Sequence, residues 1–326
     1  MSSAFKGRRE DARLVTGQGW YSADWNLPGQ LHASFLRSDR AHAEIARLDV
    51  TRALGSPGVV AVLTGQDTTQ AGFKTAPAMV KWPGRGGMAI KVPHRDVLAG
   101  NRVRFVGQEI ALVVAQSAAA AQDAVEAIAV EYRDLTAVVE PAAALADGAP
   151  RLHSDIPGNV AFDFEYGDEA KTAEAFARAA HVTRLTLDCT RLVGNPMEPK
   201  ACVAAHDAAT DTYDLYSPTQ GMSMTRAGLA GITGLPPERF RVHARDVGGG
   251  FGIRSDAYVE YLACLLAAKQ LGKPVKWVGS RAETFVSDYH GRAAIMTGEL
   301  ALDRDGNFLG IRFDWQVNSG AYLSQP

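Results

Sequence analysis

Asp246 to Asp256 reads DVGGGFGIRSD, three consecutive glycines, a phenylalanine and a fourth glycine between a strand-like and a helix-like stretch. Glycines let backbone N–H groups approach a bound group closely, so such a run can cradle an anion, and a following helix N-terminus would add partial positive charge. That chemistry suits a pyrophosphate and an oxygen-bearing metal cofactor equally, and a sharp strand-to-helix corner would need the same glycines with no ligand at all. A dinucleotide fingerprint requires G-x-G-x-x-G/A; counted from Gly248 and Gly250 the third position is Ile253, too large for close helix–strand packing. The acidic residue expected after the next strand is also misplaced, because Arg281 precedes Glu283 there. No Gly-Lys-Ser/Thr closes the run, which excludes a P-loop. An NAD-dependent dehydrogenase therefore rests on this loop alone and is a weak reading.

The elements that must hold the loop follow from patterning. Leu31 to Phe35, Glu44 to Val50 and VVAVLTG read as strands, with TRALGSPG a short helical turn. RFVGQEIALVVA has the unbroken apolar run of a strand buried on both faces; Ser117 is placed to cap the helix AAAAQDAVEAI, and the strand AVEYRDL follows, so the first domain is α/β. Residues 70–101 are loop-rich, with Pro77, Pro83 and Pro93. The second domain starts with a strand over Val182 to Leu187, then ACVAAHD and TYDLYS joined by a polar turn, and a helix GMSMTRAGLAGITG stopped at Gly234. RFRVHARDV reads as the strand before the glycine loop, AYVEYLACLLAAKQLG as a helix ending at Gly272, PVKWVG as a strand, and the last segment as a long hairpin turning at Asp305-Gly306.

The chain has 326 residues, 46% of them hydrophobic, enough for two ordinary cores. A stretch rich in Ala, Pro, Gly and Asp marks the expected boundary: residues 1–140 form one domain, 141–157 a linker and 158–326 a second domain. Its 34 basic and 36 acidic residues are mixed along the chain, for a net charge of −2, which argues against nucleic acid or an anionic membrane as main partner. No apolar run suits a secretory signal or a membrane span, so a cytoplasmic protein is expected. Cys189, Cys202 and Cys264 lie far apart without a C-x-x-C, so an iron–sulfur cluster would have to sit on another subunit.

Two further stretches, NPMEPKACVAAHD (Asn195 to Asp207) and YSPTQGMSMTR (Tyr216 to Arg226), taken in order with DVGGGFGIR, resemble the molybdenum-binding subunit of the xanthine dehydrogenase, aldehyde oxidase and aerobic carbon monoxide dehydrogenase family. GRREDARLVTGQGWY, RSDRAHAEIARLDV, PGVVAVLTG, VRFVGQEIALVVA and AVEYRDL extend the resemblance over the family's α/β hammerhead domain, and KPVKWVGSRAETF, HGR and SGAY over its first cofactor domain. The fold class implied is α/β (α+β), a hammerhead domain followed by a mixed α/β molybdopterin-binding domain that looks incomplete at its C-terminus. The function implied is oxidative hydroxylation of a small molecule, an aldehyde or an N-heterocycle, with water as oxygen source. The cofactor implied is molybdenum–molybdopterin, with the cytosine dinucleotide form as one option. Gln220 would hydrogen-bond the apical oxo group of the metal, and Gly249, Gly250, Phe251 and Gly252 would lie against the cofactor, presenting backbone N–H groups, so that fixed dipoles stabilise charge without reorganisation.

Neighbouring residues invite blander readings. Glu198, between prolines, suits a structural carboxylate better than a general base, and His290 has no partner at metal-ligand spacing. Phe251 also packs; only its backbone carries the functional claim. Purine-hydroxylating members carry a glutamate after the basic residue that follows the glycine loop, where this chain has Arg254 and then Ser255, which places Ser255 at the substrate pocket and argues against a purine. Arg254 and Lys200 exchange the family's usual Lys and Arg, and Ile253 replaces a small residue. The family's subunit continues past SGAY into a second cofactor domain carrying the glutamate that acts as general base, a residue with no counterpart in this chain. The expected partners are therefore the C-terminal half of the molybdenum subunit as a separate chain, an iron–sulfur subunit and an FAD subunit. The rival reading is a truncated, non-catalytic remnant or structural partner with the same fold.

Overall fold

The computed structural model describes residues 7–76 and 82–323; Pro77 and residues 324–326 at the end of LSQP lie outside them. The first half contains α1 (Asp11–Val15), β1 (Leu31–Arg37), β2 (Ala43–Asp49), α2 (Thr51–Leu54), β3 (Val59–Thr64), α3 (Gly65–Gln70), β4 (Arg102–Val103), β5 (Glu109–Ala115), α4 (Ala118–Glu126), β6 (Ala129–Asp134) and α5 (Pro141–Leu145). The second contains α6 (Glu169–Ala177), β7 (His181–Val193), β8 (Ala201–Asp207), β9 (Thr212–Tyr216), α7 (Met222–Thr233), β10 (Phe240–His243), α8 (Val259–Leu271), β11 (Val275–Val278), α9 (Arg281–Ser287), β12 (His290–Leu302) and β13 (Phe308–Val317). No helix among the described residues is long and apolar enough to cross a membrane.

The mixed α/β content is as expected, and the two halves share a sheet and the largest core, while two smaller cores belong to the first half alone. One seven-stranded sheet runs β10-β9-β8-β11-β1-β5-β3, with strands of both halves side by side. The junction is β1 on β11, paired in parallel with Leu31 opposite Val275 and Ala33 opposite Trp277. β5 and β6, expected as successive strands of one unit, lie in different sheets, because β6 pairs with β2 in a small sheet ordered β4-β2-β6. β5 also starts later than RFVGQE suggests: Gly107 has φ +101° and the Gln108 side chain accepts the Arg104 N–H at 2.7 Å, which makes a turn of this stretch.

The period-2 alternation of β5 explains its continuous apolar run. Leu112 and Val114 face a core shared with Phe35, Cys202, Tyr261, Leu262, Leu265 and Trp277, while Ala111, Val113 and Ala115 face Ala121, Ala124 and Val125 of α4. Ser117 caps α4 by accepting the Ala120 N–H. α8 is apolar nearly all round and correspondingly buried, and left-handed glycines at Gly234 and Gly272 end α7 and α8.

Among this apolar packing lies a buried group of balanced charge. Arg37, at the carboxyl end of β1, donates to Glu109 of β5 (2.7 Å), Glu260 of α8 (2.9 Å) and Glu283 of α9 (2.7 Å). Arg95 reaches the other oxygen of Glu109 at 3.2 Å, and Lys200 pairs with Glu260. Burial opposes ionisation of Glu260, but the adjacent Lys200 and Arg37 overcome it and hold the carboxyl well below the usual carboxylate range.

β12 pairs with β7 and β13 in a third sheet, its hairpin closing at Asp303 to Asn307 with Gly306 at φ +82°. The register puts Leu185 and Leu187 of β7, Met296 and Leu300 of β12, and Ile311, Phe313, Trp315 and Val317 of β13 on one face. α6 packs on the opposite face, where Phe176 lies under the Arg312 guanidinium. The apolar face stays open: Phe313 is 61% and Trp315 59% exposed.

Glu260→Gln leaves Lys200 and Arg37 short of a counter-charge in a dry site, so it is expected to cost about 3–5 kcal/mol in urea titrations at neutral pH. Because the folded pKa is depressed, wild-type Glu260 stabilises fully above the unfolded glutamate value of about 4.3, and the gap between wild type and variant should narrow as pH falls below that.

Candidate functional site

Four loops leave the seven-stranded sheet at one end. β9 and β10 are parallel neighbours, with His243 opposite Tyr216, so residues 217–220 and the glycine loop both follow their carboxyl ends. β8 runs antiparallel to β9 and to β11, which brings the segment before Ala201 and the turn after Val278 to the same end. In open α/β sheets this end is where ligands bind.

The glycine loop is shaped by what presses on it. Gly248 lies against the Asn195 to Lys200 segment, where a Cβ would come within 2.5 Å of the Glu198 Cβ. The two segments are stitched together: Glu198 N–H donates to the Gly248 carbonyl at 3.1 Å and Gly248 N–H donates to Glu198 Oε2 at 2.7 Å. The other oxygen of Glu198 accepts the Ser22 N–H at 2.9 Å, so this buried carboxylate is spent on backbone, as a structural role requires. Gly249 (φ +110°) and Gly252 (φ +92°) hold left-handed conformations that favour glycine, and Phe251 is held at φ +53° with its ring 73% exposed.

Gln220 meets this loop. A Cβ on Gly250 would fall 2.2 Å from Gln220 Cδ, so a larger residue there would have to push the glutamine side chain aside. Gln220 Oε1 accepts the N–H groups of Gly252 at 2.8 Å and Arg254 at 3.3 Å, which fixes the amide's orientation and leaves its NH2 without a partner among the described residues. Gln220 N–H and Thr219 Oγ1 both donate to the Arg254 carbonyl, at 2.9 and 3.1 Å. The N–H of Gly252, expected to face a ligand, is in this conformation committed to Gln220. Those of Gly249, Gly250 and Phe251 have no hydrogen-bond partner among the described residues.

The loop does not open α8 directly. A 3-10 turn at Ile253–Ser255 intervenes, held by Gln220 and Thr219, so chain continuity brings no helix N-terminus to the glycines. Arg254 points inward, fully buried, donating to Tyr258 at 2.9 Å and Asp288 at 2.8 Å. Tyr258 O–H in turn donates to the Ile253 carbonyl at 2.5 Å and lies 2.7 Å from Asp288 Oδ1. Ile253 Cδ1 stands 2.9 Å from where a Cβ on Gly194 would be, so the side chain that spoils a dinucleotide fingerprint is accommodated by a glycine across the cleft. Ser255 is half-buried in the turn with no hydrogen bond among the described residues. His290 sits apart, its Nε2 3.1 Å from the Phe285 carbonyl. Among the described residues no group of three or more His, Cys, Asp or Glu side chains could hold a metal ion.

Asp246, at the base of the loop, was not singled out by sequence. Arg13 donates to both of its oxygens at 2.5 Å and the Trp20 N–H donates at 2.7 Å; these hold its carboxyl down to about 2. The nearest signal is the Arg-Arg-Glu-Asp-Ala-Arg run from Arg8 to Arg13, whose partner more than two hundred residues away leaves no trace in local pattern. In sum, the site offers three unpaired backbone N–H groups and a primary amide, and no ligating side chain. Such an array suits an anionic, oxygen-bearing group.

Residues 152–326 match the molybdopterin cofactor-binding domain family, and residues 16–136 match the a/b hammerhead domain of aldehyde oxidase and xanthine dehydrogenase. The chain is 34% identical to the carbon monoxide dehydrogenase large chain of Hydrogenophaga pseudoflava, covering 96% of this chain and 39% of that one. It is 30% identical to the nicotinate dehydrogenase large molybdopterin subunit of Eubacterium barkeri, over 98% of this chain and 71% of that one. The crystal structure of quinoline 2-oxidoreductase from Pseudomonas putida 86 superposes with a TM-score of 0.86 at 36% identity, covering 94% of this chain and 38% of the other. The chain thus spans about two fifths of the length of the carbon monoxide dehydrogenase large chain.

Gly250→Ala should overpack the Gln220 contact and cost about 1–3 kcal/mol in denaturant titration. Combined with Gln220→Ala, which removes the clashing side chain, the loss should be smaller than the sum of the two single losses, a coupling that a double-mutant cycle reads directly.

Proposed function

The chain belongs to the family of molybdenum-binding subunits that includes xanthine dehydrogenase, aldehyde oxidase and aerobic carbon monoxide dehydrogenase, and from that premise we propose that it is the N-terminal part of a molybdenum hydroxylase large subunit. Its substrate on this reading is an aldehyde or an N-heterocycle, and the relatives named for nicotinate and quinoline favour the heterocycle. The observation that carries the proposal is the row of unpaired N–H groups at Gly249, Gly250 and Phe251 beside the unpaired amide of Gln220.

These residues fit a molybdopterin centre because they donate and do not ligate. When bound, the cofactor supplies a two-electron oxidation in which a carbon–hydrogen bond of the substrate gives way to a carbon–oxygen bond with oxygen from water. Gln220 Nε2 would donate to the oxygen-bearing side of the cofactor, its own orientation set by Gly252 and Arg254. Gly250, having no side chain, lets the Gln220 side chain lie directly against the loop, beside the N–H groups of Gly250 and Phe251. Fixed dipoles of this kind stabilise developing negative charge without moving. Ser255 would line the substrate side, where the absence of a carboxylate weighs against purines.

The remaining pterin contacts and the general base would come from the polypeptide that the longer relatives carry beyond the matched portion. The open apolar face of the β7-β12-β13 sheet is suited to packing against it. Electrons would leave through iron–sulfur clusters and FAD on partner subunits, since Cys202 and Cys264 are buried and Cys189 stands alone on β7.

Co-purification with the products of neighbouring genes, followed by molybdenum and pterin analysis, tests the reading. Stoichiometric metal is expected in the complex, with severe loss for Gln220→Ala and Gly250→Val. A complex whose activity is unaffected by either substitution and which contains no molybdenum would identify a non-catalytic member of the fold.

A further inference from the structure

The glycine loop is gripped from behind by a segment more than two hundred residues earlier in the chain. Arg13 donates through both terminal nitrogens to the two oxygens of Asp246, each at 2.5 Å. Trp20 adds its N–H to Asp246 at 2.7 Å, and its carbonyl accepts the Asp246 N–H at 3.1 Å. Two residues on, Ser22 N–H reaches Glu198 Oε1 at 2.9 Å while Gly248 N–H holds Glu198 Oε2 at 2.7 Å, so one carboxylate spans the segment and the loop. The Arg245 guanidinium lies 5.4 Å over the Trp20 ring. The far end is moored to the central sheet: Lys276 of β11 donates to the carbonyls of Ala23 at 2.6 Å and Trp25 at 3.0 Å and to Asn26 Oδ1 at 2.9 Å.

We propose that residues 13–26 form a strap that sets the position of the unpaired N–H groups at 249–251, with Arg13 its principal positioning residue. The claim rests on the reading that this loop meets molybdopterin. Gln220 fixes the loop from 252 onward and the strap fixes it up to 248, so the three free donors are suspended between two rigid anchors. A glycine-rich segment loses more freedom on ordering than any other, and without both anchors it would hold its donors in no single place. The bidentate fork is specific to arginine; a lysine keeps the charge but supplies a point contact. The contact stays intact through the working range of pH: with the Asp246 carboxyl held at about 2, its stabilisation is present above the ordinary aspartate value of about 3.9 and fades only as pH falls from there towards 2.

The test compares wild type, Arg13→Ala, Arg13→Lys and the surface control Arg52→Ala in the full complex. Amide hydrogen exchange is read over residues 246–252, and molybdenum content and the molybdenum EPR signature are read beside it. Arg13→Ala is expected to speed exchange across the loop by about five- to tenfold with β5 and α8 unchanged, to lower molybdenum occupancy and to shift the EPR signature. Arg13→Lys should recover part of each, and Arg52→Ala should match wild type. If Arg13→Ala does not fold, Arg13→Lys against Asp246→Asn carries the same comparison. Unchanged loop exchange and unchanged EPR in Arg13→Ala, or in Arg13→Lys and Asp246→Asn where those carry the comparison, would overturn the strap. A wild-type complex free of molybdenum and pterin would overturn the cofactor reading instead, while the exchange data would still decide whether the strap holds the loop.

Discussion

Arg37 is the constraint on which the arrangement depends. It ends β1, the strand that joins β11 of the second half through Leu31 to Ala33, and its guanidinium touches carboxylates on β5, α8 and α9. Three cations and three anions, Arg37, Arg95 and Lys200 against Glu109, Glu260 and Glu283, cancel within a space from which water is almost excluded. A buried pair contributes little net stability compared with apolar packing, but breaking one is costly, so the group acts as a condition on assembly. β1, β5, α8 and α9 must all reach their positions before all of the charges are compensated. The parallel junction between the halves is thereby fixed in register, and with it the sheet end from which the site loops leave.

At that end the same economy recurs on a smaller scale. Glu198, Asp246 and the Gln220 side chain each satisfy backbone N–H groups of segments distant in sequence, and none is left over to ligate a metal. Gly248 and Gly250 admit the close approach of the Glu198 segment and of the Gln220 side chain, whereas Gly249 and Gly252 hold left-handed backbone angles. One run of glycines therefore answers two different demands, close approach from outside and left-handed geometry within. The result is a stretch whose own N–H groups at 249–251 have no hydrogen-bond partner among the described residues.

Much of this was legible in the sequence where the signal is local. The Ser117 cap, the glycine stops at Gly234 and Gly272 and the Asp305-Gly306 turn lie where pattern puts them, because each depends on neighbours a few residues away, whereas the strand expected over RFRVHARDV ends at His243 and the one expected over Val182 to Leu187 runs on to Val193. What pattern missed is long-range. Nothing local in LHASFLR says that Arg37 will end buried among three glutamates, and nothing in RVRFVGQE says that Gly107 will turn the chain before the strand. That strands of the two halves would share one sheet and one core is not legible for the same reason: a strand announces its two faces but not the neighbour across its edge. The inward turn of Arg254 is of this kind too, since its partners Asp288 and Tyr258 are not announced by local pattern.

The β7-β12-β13 sheet shows how a strong local signal can coexist with an incomplete environment. Its strands alternate cleanly, with Arg184, Glu299, Arg312 and Asp314 on one face and leucine, methionine, phenylalanine and tryptophan on the other, the pattern of a half-buried sheet. α6 lies against the charged face, so the side that would gain most from leaving water is the one left open. Aromatic residues as exposed as Phe313 and Trp315, in a row and without intervening charge, are unfavourable on a free surface and ordinary in a protein boundary. The glycine loop presents the complementary case, polar donors without acceptors. On the proposed reading an exposed apolar face and a donor array without partners among the described residues have one physical explanation in common: each would be half of a contact, one with polypeptide and the other with an anionic group.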